Sequence, residues 1–419
     1  MFNSKSIMRY YSIVLILLCC YCCQSGNDRL HNIKKAFQGF EKVISNVDSI
    51  PETLPGENNI SVITVPDDIT SKILDFSFIV DSTYYTKLST SPASLIGDID
   101  KILFIEERII IVEWQRRQSV LLFNRNGTFI TKIGIQGNGP GEYLNIRDVA
   151  IDKTNAQIVL LDDFGRKLLF YDLDGKLLSF KRLFYYPVGF FIFDNGAFLF
   201  YQARDVNIHI PSSCNFGLLF ALPDQEIISK SLPYNYLEKY PMNKMGSLHS
   251  FNVCNKVALY NPIFTNLIYE IKEFNRIEAR YSINIGSKDI VKAFNIGTTT
   301  NDIPKLLNTG KFYFFEGESV STENFLYFRV KLGGDCFYSK NTGNLYCGNA
   351  FRLSLDRADI ISFYSPITSD GDFFVSVIWP YKLLKNPPRK QLNNELKLLI
   401  DSLKEEDNPI LFFYSLKSI

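Results

Sequence analysis

The sequence predicts an all-β fold, namely a six-bladed β-propeller with four-stranded blades that is closed by an N-terminal strand joining the C-terminal blade. Three observations support this prediction. Aromatic residues make up 14% of the 419 residues, which favours strands over helices. Short apolar runs separated by turn residues fill the chain from residue 60 onward. The order of these runs repeats, and a period of ~40–50 residues is typical of propeller blades.

The repeat is clearest in the first two units. The predicted strands of the first unit are Ile102–Ile105, Arg108–Trp114, Ser119–Asn124 and Thr128–Ile133. Asn126-Gly127 is a strong hairpin-turn signal between the last two strands. Asp174-Gly175 takes the same place in the second unit, 48 residues later. The matching order and spacing predict two consecutive blades.

Four weaker copies complete the predicted ring. They cover residues 188–232, 250–285, 312–347 and 361–419. The last copy contains three strands, whereas the run Leu74–Val80, continuing to Lys87, has no unit of its own. We therefore predict that this run is the outer strand of blade six, because ring closure removes a free sheet edge. The alternative is a pair of β-sandwich domains.

Two stretches break the strand pattern. Leucines recur at helical spacing within Gln391–Glu405, which follows two prolines and precedes a third. They predict a helical insertion at about residues 390–406 within blade six. The stretch Ser287–Leu307 predicts one or two short helices.

The first residues have the pattern of an export signal. Lys5 and Arg9 form a positive region, and the uncharged run Tyr10–Cys23 follows. The run is shorter than the ~20 residues that span a bilayer, but it has the length of a signal-peptide core. Residues 1–23 are therefore predicted to be a signal peptide, with a retained short membrane anchor as the alternative. Residues 24–59 are predicted to be a linker and residues 60–419 the propeller.

The cysteines at the end of this run resemble the lipid-attachment box of bacterial lipoproteins. That box usually has Gly, Ala or Ser just before the modified cysteine, and none of the four cysteines here has one. Cys23 is favoured because it is the last thiol before a polar stretch, and Cys20 is the alternative because Leu17 lies at the expected apolar position. A lipid at this cysteine would anchor the chain to a membrane.

Two later cysteines are predicted to form a disulfide. Cys336 and Cys347 flank a predicted hairpin whose turn lies at Asn341-Thr342. In a symmetric hairpin the two cysteines lie opposite each other, with Cα atoms ~4.5–5.5 Å apart, and disulfides tolerate that range. An exported protein could oxidise the pair. Two buried free thiols are the alternative.

Charge and residue usage argue against several functions. With 45 Lys and Arg against 44 Asp and Glu, the formal charge is +1, which gives no electrostatic basis for nucleic-acid binding. His31, His209 and His249 are scattered, so a His-rich zinc site is not expected. The sequence also contains no Gly-x-Ser-x-Gly elbow. No catalytic residue, metal ligand or cofactor is therefore assigned.

A cation site at the central channel remains an alternative. Some six-bladed propellers hold a divalent cation near the axis and hydrolyse lactones. The candidates here for such a channel-bound cation are Asp98, Asp148, Asp162, Asp163 and Asn252. Carboxylates are equally expected in blade turns, where they cap backbone donors.

The glycine-rich stretch Gly137–Tyr143 is predicted to be structural. Such loops can cradle phosphates when they lead into a helix, but this one leads into a strand, and Pro140 removes a backbone donor. We predict a tight connection between blades whose glycines adopt positive φ.

Two aromatic clusters are candidate binding edges. Trp114 with Arg116 and Arg117 lies in blade one, and Trp379 with Tyr381 lies in blade six. Aromatic faces bind sugars and cations. The alternative for both clusters is the propeller core or rim.

The layout resembles the six-bladed β-propeller lipoproteins of Bacteroidetes, which are similar in fold to NHL-repeat propellers. Three stretches carry the resemblance: Ser94–Lys101, Gly137–Tyr143 and Glu406–Leu411. The resemblance covers residues 60–419 and implies a propeller exported to the cell envelope, in the periplasm or at the outer membrane. The predicted function is a binding or scaffold module with an unknown protein or carbohydrate ligand at the propeller mouth. The alternative is a divalent-cation-dependent, lactonase-like hydrolase or lyase.

Overall fold

A computed structural model shows six four-stranded blades in a propeller ring. It describes residues 26–39, 49–69, 73–75, 78–203, 207–234, 251–254, 257–262, 265–293, 302–331, 333–348, 350–355, 358–362, 365–385 and 394–417. The predicted signal peptide, with Cys20 and Cys23, lies outside these residues. Within each blade the strands pair antiparallel.

The first three blades each use four consecutive strands. Blade one contains β4 (Lys101–Ile105), β5 (Arg108–Glu113), β6 (Ser119–Asn124) and β7 (Phe129–Ile133). Blade two contains β8 (Ile146–Asp152), β9 (Gln157–Asp162), β10 (Lys167–Tyr171) and β11 (Leu177–Arg182). Blade three contains β12 (Gly189–Ile192), β13 (Phe198–Tyr201), β14 (Phe216–Ala221) and β15 (Ile227–Pro233). Gly127 and Gly175 have φ of 84° and 83°, as the predicted hairpin turns require.

Of the other three blades, blades four and six each include a strand from the N-terminal part of the chain. Blade four contains β16 (Asn252–Cys254), β17 (Val257–Tyr260), β18 (Leu267–Ile271) and β19 (Glu278–Asn284), with β1 (Ser61–Thr64) added in parallel outside β19. Blade five contains β20 (Phe314–Ser321), β21 (Phe325–Lys331), β22 (Gly334–Ser339) and β23 (Leu345–Gly348). Blade six contains β26 (Thr368–Asp370), β27 (Phe373–Ile378), β28 (Ile410–Leu416) and β3 (Val80–Lys87).

The ring closes as the sequence predicts. Strand β3 pairs antiparallel with β28, so the N-terminal strand is the outer strand of the C-terminal blade. Next to this pair, the buried Asn408 accepts a hydrogen bond from the Ile96 amide at 2.8 Å. Its side-chain amide donates to the carbonyls of Ser89 and Ser94, each at 2.8 Å. The all-β propeller is confirmed, and the β-sandwich alternative is wrong.

Blades pack on one another through alternating strand faces. One buried cluster joins Val112 and Leu122 of blade one to Val149 and Leu160 of blade two. Another joins Ile102 and Phe123 of blade one to Val375 and Leu411 of blade six. Since both faces of a blade are covered by neighbours, its middle strands are almost continuously apolar.

The predicted orphan strand is shorter at its N-terminal side than expected. The residues Ile73–Asp75 form a separate strand, β2, which pairs in parallel with β24 (Ala350–Leu355). Strand β25 (Ala358–Ser362) completes this three-stranded sheet, and β2 also contacts β23 at the outer edge of blade five. The prediction missed this sheet because β2 pairs with a run that lies far away in sequence.

The described residues between 26 and 75 run along the outside of blades two to five, and we call them the N-terminal belt. Pro51 and Thr53 exchange backbone hydrogen bonds with Lys230 on β15 of blade three. Gly56 does the same with Ile277 and Ala279 on blade four, just before β1. Together with β1 and β2, these contacts cover outer strands that would otherwise be sheet edges.

The belt begins with helix α1 (Gly26–Ala36), which docks where blades two and three meet. Phe37 follows the helix and is fully buried, with its ring stacked on His209 at 4.4 Å between centroids. Arg166 lies over the same ring at 5.3 Å, and both Arg166 and Arg182 donate hydrogen bonds to the Ala36 carbonyl. The described part of the predicted linker 24–59 is therefore packed against the ring.

Helices account for little of the fold. Two 3₁₀ turns, Gly286–Lys288 and Ile290–Ala293, and helix α2 (Asp302–Asn308) lie between blades four and five, where short helices are predicted. Helices α3 (Pro380–Lys385) and α4 (Asn394–Asp401) lie between β27 and β28 of blade six. The α4 residues fall inside the predicted helical insertion at 390–406.

The two cysteines of blade five are directly paired. Cys336 on β22 faces Cys347 on β23, with Cα atoms 4.3 Å apart. The structure joins the two sulfurs in a disulfide. Cys214 and Cys254 are free thiols.

Candidate functional site: the channel cavity

The first strands of the blades line the axis of the ring. Neighbouring first strands contact each other, and β16 of blade four also contacts β26 of blade six across blade five. A cavity of about 360 Å³ lies between the first strands of blades one, two, three, four and six. It is at the channel end where these strands turn back, since the turns Asp194-Asn195 and Asp370-Gly371 line it.

The walls of the cavity are largely apolar. Ile102 and Phe104 come from β4, and Phe191 comes from β12. Phe193 follows β12, and its ring makes an edge-to-face contact with Phe274 of blade four at 5.6 Å. Alternation along β12 directs Phe190 toward blade two and Phe191 toward blade four, and both residues line the cavity.

Three lysines line the cavity, and they differ in their partners. The Lys101 ammonium lies 2.8 Å from the buried Asp148 carboxylate, which also accepts the Phe190 amide at 3.0 Å. Lys272 pairs with Glu270 at 2.9 Å. Lys153 is exposed and makes no ion pair with any residue that the structure describes. Its positive charge is therefore available to a ligand.

The blade-six side of the mouth is held by an ion pair. Arg125 pairs with Asp370, and its guanidinium lies over the Phe104 ring at 4.9 Å. These contacts link blades one and six beside the cavity. They neutralise Asp370 and fix one wall.

Cys254 is a buried thiol in the cavity wall. Burial raises the pKa of this thiol, and a hydrogen bond with Ser369 and nearby charges, including Lys340 and Lys153, oppose the shift only in part. A raised pKa keeps sulfur in the neutral thiol form at neutral pH, whereas cysteine nucleophiles need the thiolate. Cys254 therefore acts as a small apolar wall residue.

The five residues proposed for a cation engage in separate interactions. Asp98 pairs with Arg116 at 3.7 Å, and Asp148 pairs with Lys101. Among the described residues, no group of three or more His, Cys, Asp or Glu side chains is placed to hold a metal ion. The other three candidates accept or donate hydrogen bonds within loops and between strands: Asp162, Asp163 and Asn252.

Two carboxylates at equivalent positions of blades one and two cap backbone amides. Glu113 at the end of β5 is fully buried and accepts the amides of Gly97 and Asp98 at 2.7 and 3.0 Å. Asp162 at the end of β9 is fully buried and accepts the Leu144 and Gly165 amides at 2.9 and 2.8 Å. Each carboxylate holds the loop that enters its blade, so the role of Asp162 is structural.

The glycine-rich loop connects blades one and two, but its glycines serve a different purpose than predicted. The prediction of positive φ is wrong for Gly137, Gly139 and Gly141, and Gly134 just before them has φ of 71°. Instead, a Cβ atom on Gly137 would collide with the Glu142 carboxylate, which accepts the Gly139 amide at 2.8 Å. A side chain at position 137 would therefore displace this flexible carboxylate and disturb its hydrogen bond with the Gly139 amide.

The remaining candidates lie apart from the cavity. Trp114 packs partly buried in the cluster between blades one and two, and Trp379 packs in the cluster between blades one and six. Tyr381 is 39% exposed on α3. His31 lies on helix α1, and His249 lies outside the described residues.

Sequence reasoning missed the cavity residues. Phe191, Phe274 and Lys153 belong to three different blades and share no motif. The only available signal is position, because Lys153 and Asp194 both occupy the turn after a first strand. Such turn charges look the same in sequence whether they face solvent or a ligand.

The ring, its closing strand and its axial cavity define a six-bladed β-propeller. The family described as Domain of unknown function (DUF4934) matches residues 60–415, and the chain belongs to this family. No curated protein matches the chain. Within the described residues, no helix is long and apolar enough to cross a membrane.

Solved structures of similar fold come from several bacteria. A "Putative exported protein" from Bacteroides fragilis is 19% identical with a TM-score of 0.67, over 86% of this chain and 100% of that chain. A DUF4221 member from Bacteroides vulgatus is 10% identical with a TM-score of 0.43, over 81% and 97%. A catalytically inactive virginiamycin B lyase from Staphylococcus aureus with quinupristin is 11% identical with a TM-score of 0.40, over 80% and 100%. The likeness to the Bacteroides fragilis protein concerns the fold alone.

Proposed function

We propose that the protein is an envelope-tethered binding module that holds its ligand in the channel cavity. The observation that carries the proposal is the combination of apolar walls with an exposed Lys153 charge that has no ion-pair partner among the described residues. The volume of the channel cavity, about 360 Å³, is within the range of small-molecule sites, ~300–1,000 Å³. The ligand is therefore expected to have an apolar body and an acidic or polar end.

Two kinds of ligand fit this description. One is a small amphipathic molecule, and the other is an apolar side chain at the tip of a partner protein. Phenylalanine walls favour both over a carbohydrate, because sugar sites combine aromatic faces with many hydrogen-bonding groups. A binding role is favoured over a cation-dependent hydrolase or lyase because the five predicted cation candidates are engaged in structural contacts.

The cavity can be tested with a dye that has the proposed character. Anilinonaphthalene sulfonate combines an aromatic body with an anionic group, and its fluorescence should rise with the wild-type chain. Ile151→Trp fills the mouth and Lys153→Glu reverses its charge, so either change should weaken dye binding by about tenfold. Ile135→Trp, at a 69% exposed residue outside the cavity, is the matched control. Equal dye binding by all four chains would reject the site.

We propose that export and anchoring depend on residues 1–23, with a lipid on Cys23. Metabolic labelling with an alkyne fatty acid should modify the wild-type chain and the Cys20→Ala variant. The Cys23→Ala variant should remain unlabelled and leave the membrane fraction. Loss of label only in Cys20→Ala would move the attachment to Cys20. Absence of label from the wild-type chain would reject the anchor.

A further inference from the structure

The outer strand of blade two, β11, is the most exposed of the described outer strands of the six blades. The belt covers the outer strands of blades three and four, but no described strand pairs with the outer side of β11. Five of the six β11 residues are exposed. Leu178 and Phe180 are each 48% exposed, which is unusual for two large apolar side chains so close in one strand.

Side chains on both faces of β11 are exposed. Phe180 is opposite Leu169, which packs toward blade one, whereas Lys181 is opposite Leu168, which packs toward blade three. Cross-strand partners point to the same side, so Phe180 and Lys181 leave the strand on opposite faces, and Arg182 lies on the face of Phe180. A flat surface that approaches the rim edge-on could contact both.

The same edge is basic. Lys176, Lys181 and Arg182 lie within seven residues that contain no acidic side chain, although the whole chain has a formal charge of only +1. Helix α1 adds the exposed Lys34 and Lys35 in its last turn. Arg182 donates a hydrogen bond to the Ala36 carbonyl at 3.1 Å, so these two basic elements adjoin.

The short stretch between Cys23 and helix α1 indicates which surface this edge faces. From Cys23 to Gly26 the chain can reach at most ~10 Å. Helix α1 has 11 residues and is therefore about 16 Å long, and its end is fixed to the ring by Phe37. A lipid on Cys23 would consequently hold the edge of blade two close to the bilayer.

We propose that the outer edge of blade two, together with helix α1, lies against an anionic membrane surface. This inference rests on the proposed lipid anchor. Basic side chains contact anionic head groups, and Leu178 and Phe180 enter the interface, which gives the second signal that a single lipid anchor needs for stable attachment. The ring then stands on its edge, its axis runs along the membrane, and the mouth of the channel cavity stays open to solvent.

The test uses the mature chain from residue 24 onward without the lipid, so that its outcome does not depend on Cys23. Flotation should show binding to vesicles of phosphatidylglycerol and phosphatidylcholine at low salt, with little binding to phosphatidylcholine alone. Changing Leu178 and Phe180 to Ser should lower the partition coefficient about tenfold. Changing Ile135 and Phe164 to Ser removes two apolar side chains elsewhere that are even more exposed, at 69% and 70%, and should leave binding unchanged.

The possible results separate the two proposals. Fatty-acid labelling of Cys23 without vesicle binding by the unlipidated chain would overturn the membrane-facing edge and leave the anchor intact. Vesicle binding without labelling would reject the anchor alone. Equal loss in both double variants, or equal binding to neutral vesicles, would also overturn the inference, because it requires this edge and an anionic surface.

Discussion

The outer rim of the ring and the mouth of its channel are made by the same blades, but the rim is covered by other parts of the chain and the mouth is open. At the rim, the N-terminal belt supplies strands and the fully buried Phe37 to cover edges. At the mouth, aromatic walls enclose a cavity and Lys153 remains without an ion-pair partner among the described residues. The comparison indicates that stability depends on the rim and on the closing seam, where β3 pairs with β28 and Asn408 holds the Ile96 amide. The proposed binding depends on the mouth.

The largest expected effect is at the start of the belt. Replacement Phe37→Ala should lower the free energy of unfolding by about 3–4 kcal/mol, because it removes a buried ring from between blades two and three. Urea denaturation measures the change, and limited proteolysis should show faster cleavage of the belt. Leu54→Ala, at a belt residue that is 73% exposed, is the control. If both variants unfold at the same urea concentration, the belt does not stabilise the ring.

The closing seam should be almost as sensitive. Asn408→Ala removes the partners of the Ile96 amide and of the carbonyls of Ser89 and Ser94, all near the joint between blades one and six. Leaving buried polar groups without partners should cost about 2–3 kcal/mol. Thermal denaturation should show the loss for Asn408→Ala but not for Asn341→Ala, an exposed hairpin residue. A seam that tolerates the change would mean that strand pairing alone closes the ring.

The cysteine pair of blade five should contribute next. A bridge between Cys336 and Cys347 closes a short loop, and its removal by serine at both positions should cost about 2 kcal/mol. Thiol labelling of the denatured mature chain should modify only Cys214 and Cys254. Labelling of all four thiols would show that the pair is reduced.

The parts of the fold that repeat locally could be predicted from the sequence. The turns at Gly127 and Gly175 share their spacing and their positive φ, so blades one and two were visible without coordinates. The closing strand was predictable because the run from Leu74 to Lys87 lacked a unit and blade six lacked a strand; the structure places the strand itself at Val80–Lys87. Both predictions used short apolar runs, whose meaning depends little on distant contacts.

The belt and the cavity depend on contacts that no local pattern records. Strand β1 pairs in parallel with β19, more than two hundred residues away, and only the finished ring creates that edge. Phe274 and Lys153 face one cavity because two blades bring their turns to the same end of the channel. The sequence is equally compatible with Asp162 as a cation ligand and as a cap of backbone amides. The three backbone amides that donate hydrogen bonds to its carboxylate show that it is a cap.

A smaller effect at the seam depends on pH. Partial burial raises the pKa of the Asp407 carboxyl, but hydrogen bonds from the Lys404 amide and the Lys87 ammonium outweigh it and hold this pKa below its ordinary value. A depressed folded-state pKa stabilises the protein above the unfolded value, and this contribution is lost as the pH falls through the folded value. Urea midpoints at about pH 7 and about pH 3 should therefore differ less for Asp407→Asn than for wild type. An unchanged pH dependence would remove this ion pair from the seam.

The smallest expected change is in the stability of mouth variants, and it decides whether the comparison holds. Lys153→Glu should change the free energy of unfolding by no more than about 0.5 kcal/mol, because the side chain is exposed and makes no ion pair with a described residue. The same variant should lose dye binding, since the anionic probe would meet a negative charge at the mouth. Urea denaturation and dye titration on one preparation measure both quantities. If Lys153→Glu were as destabilising as Phe37→Ala, the lysine would be a structural residue, and the division between a stabilising rim and a binding mouth would be wrong.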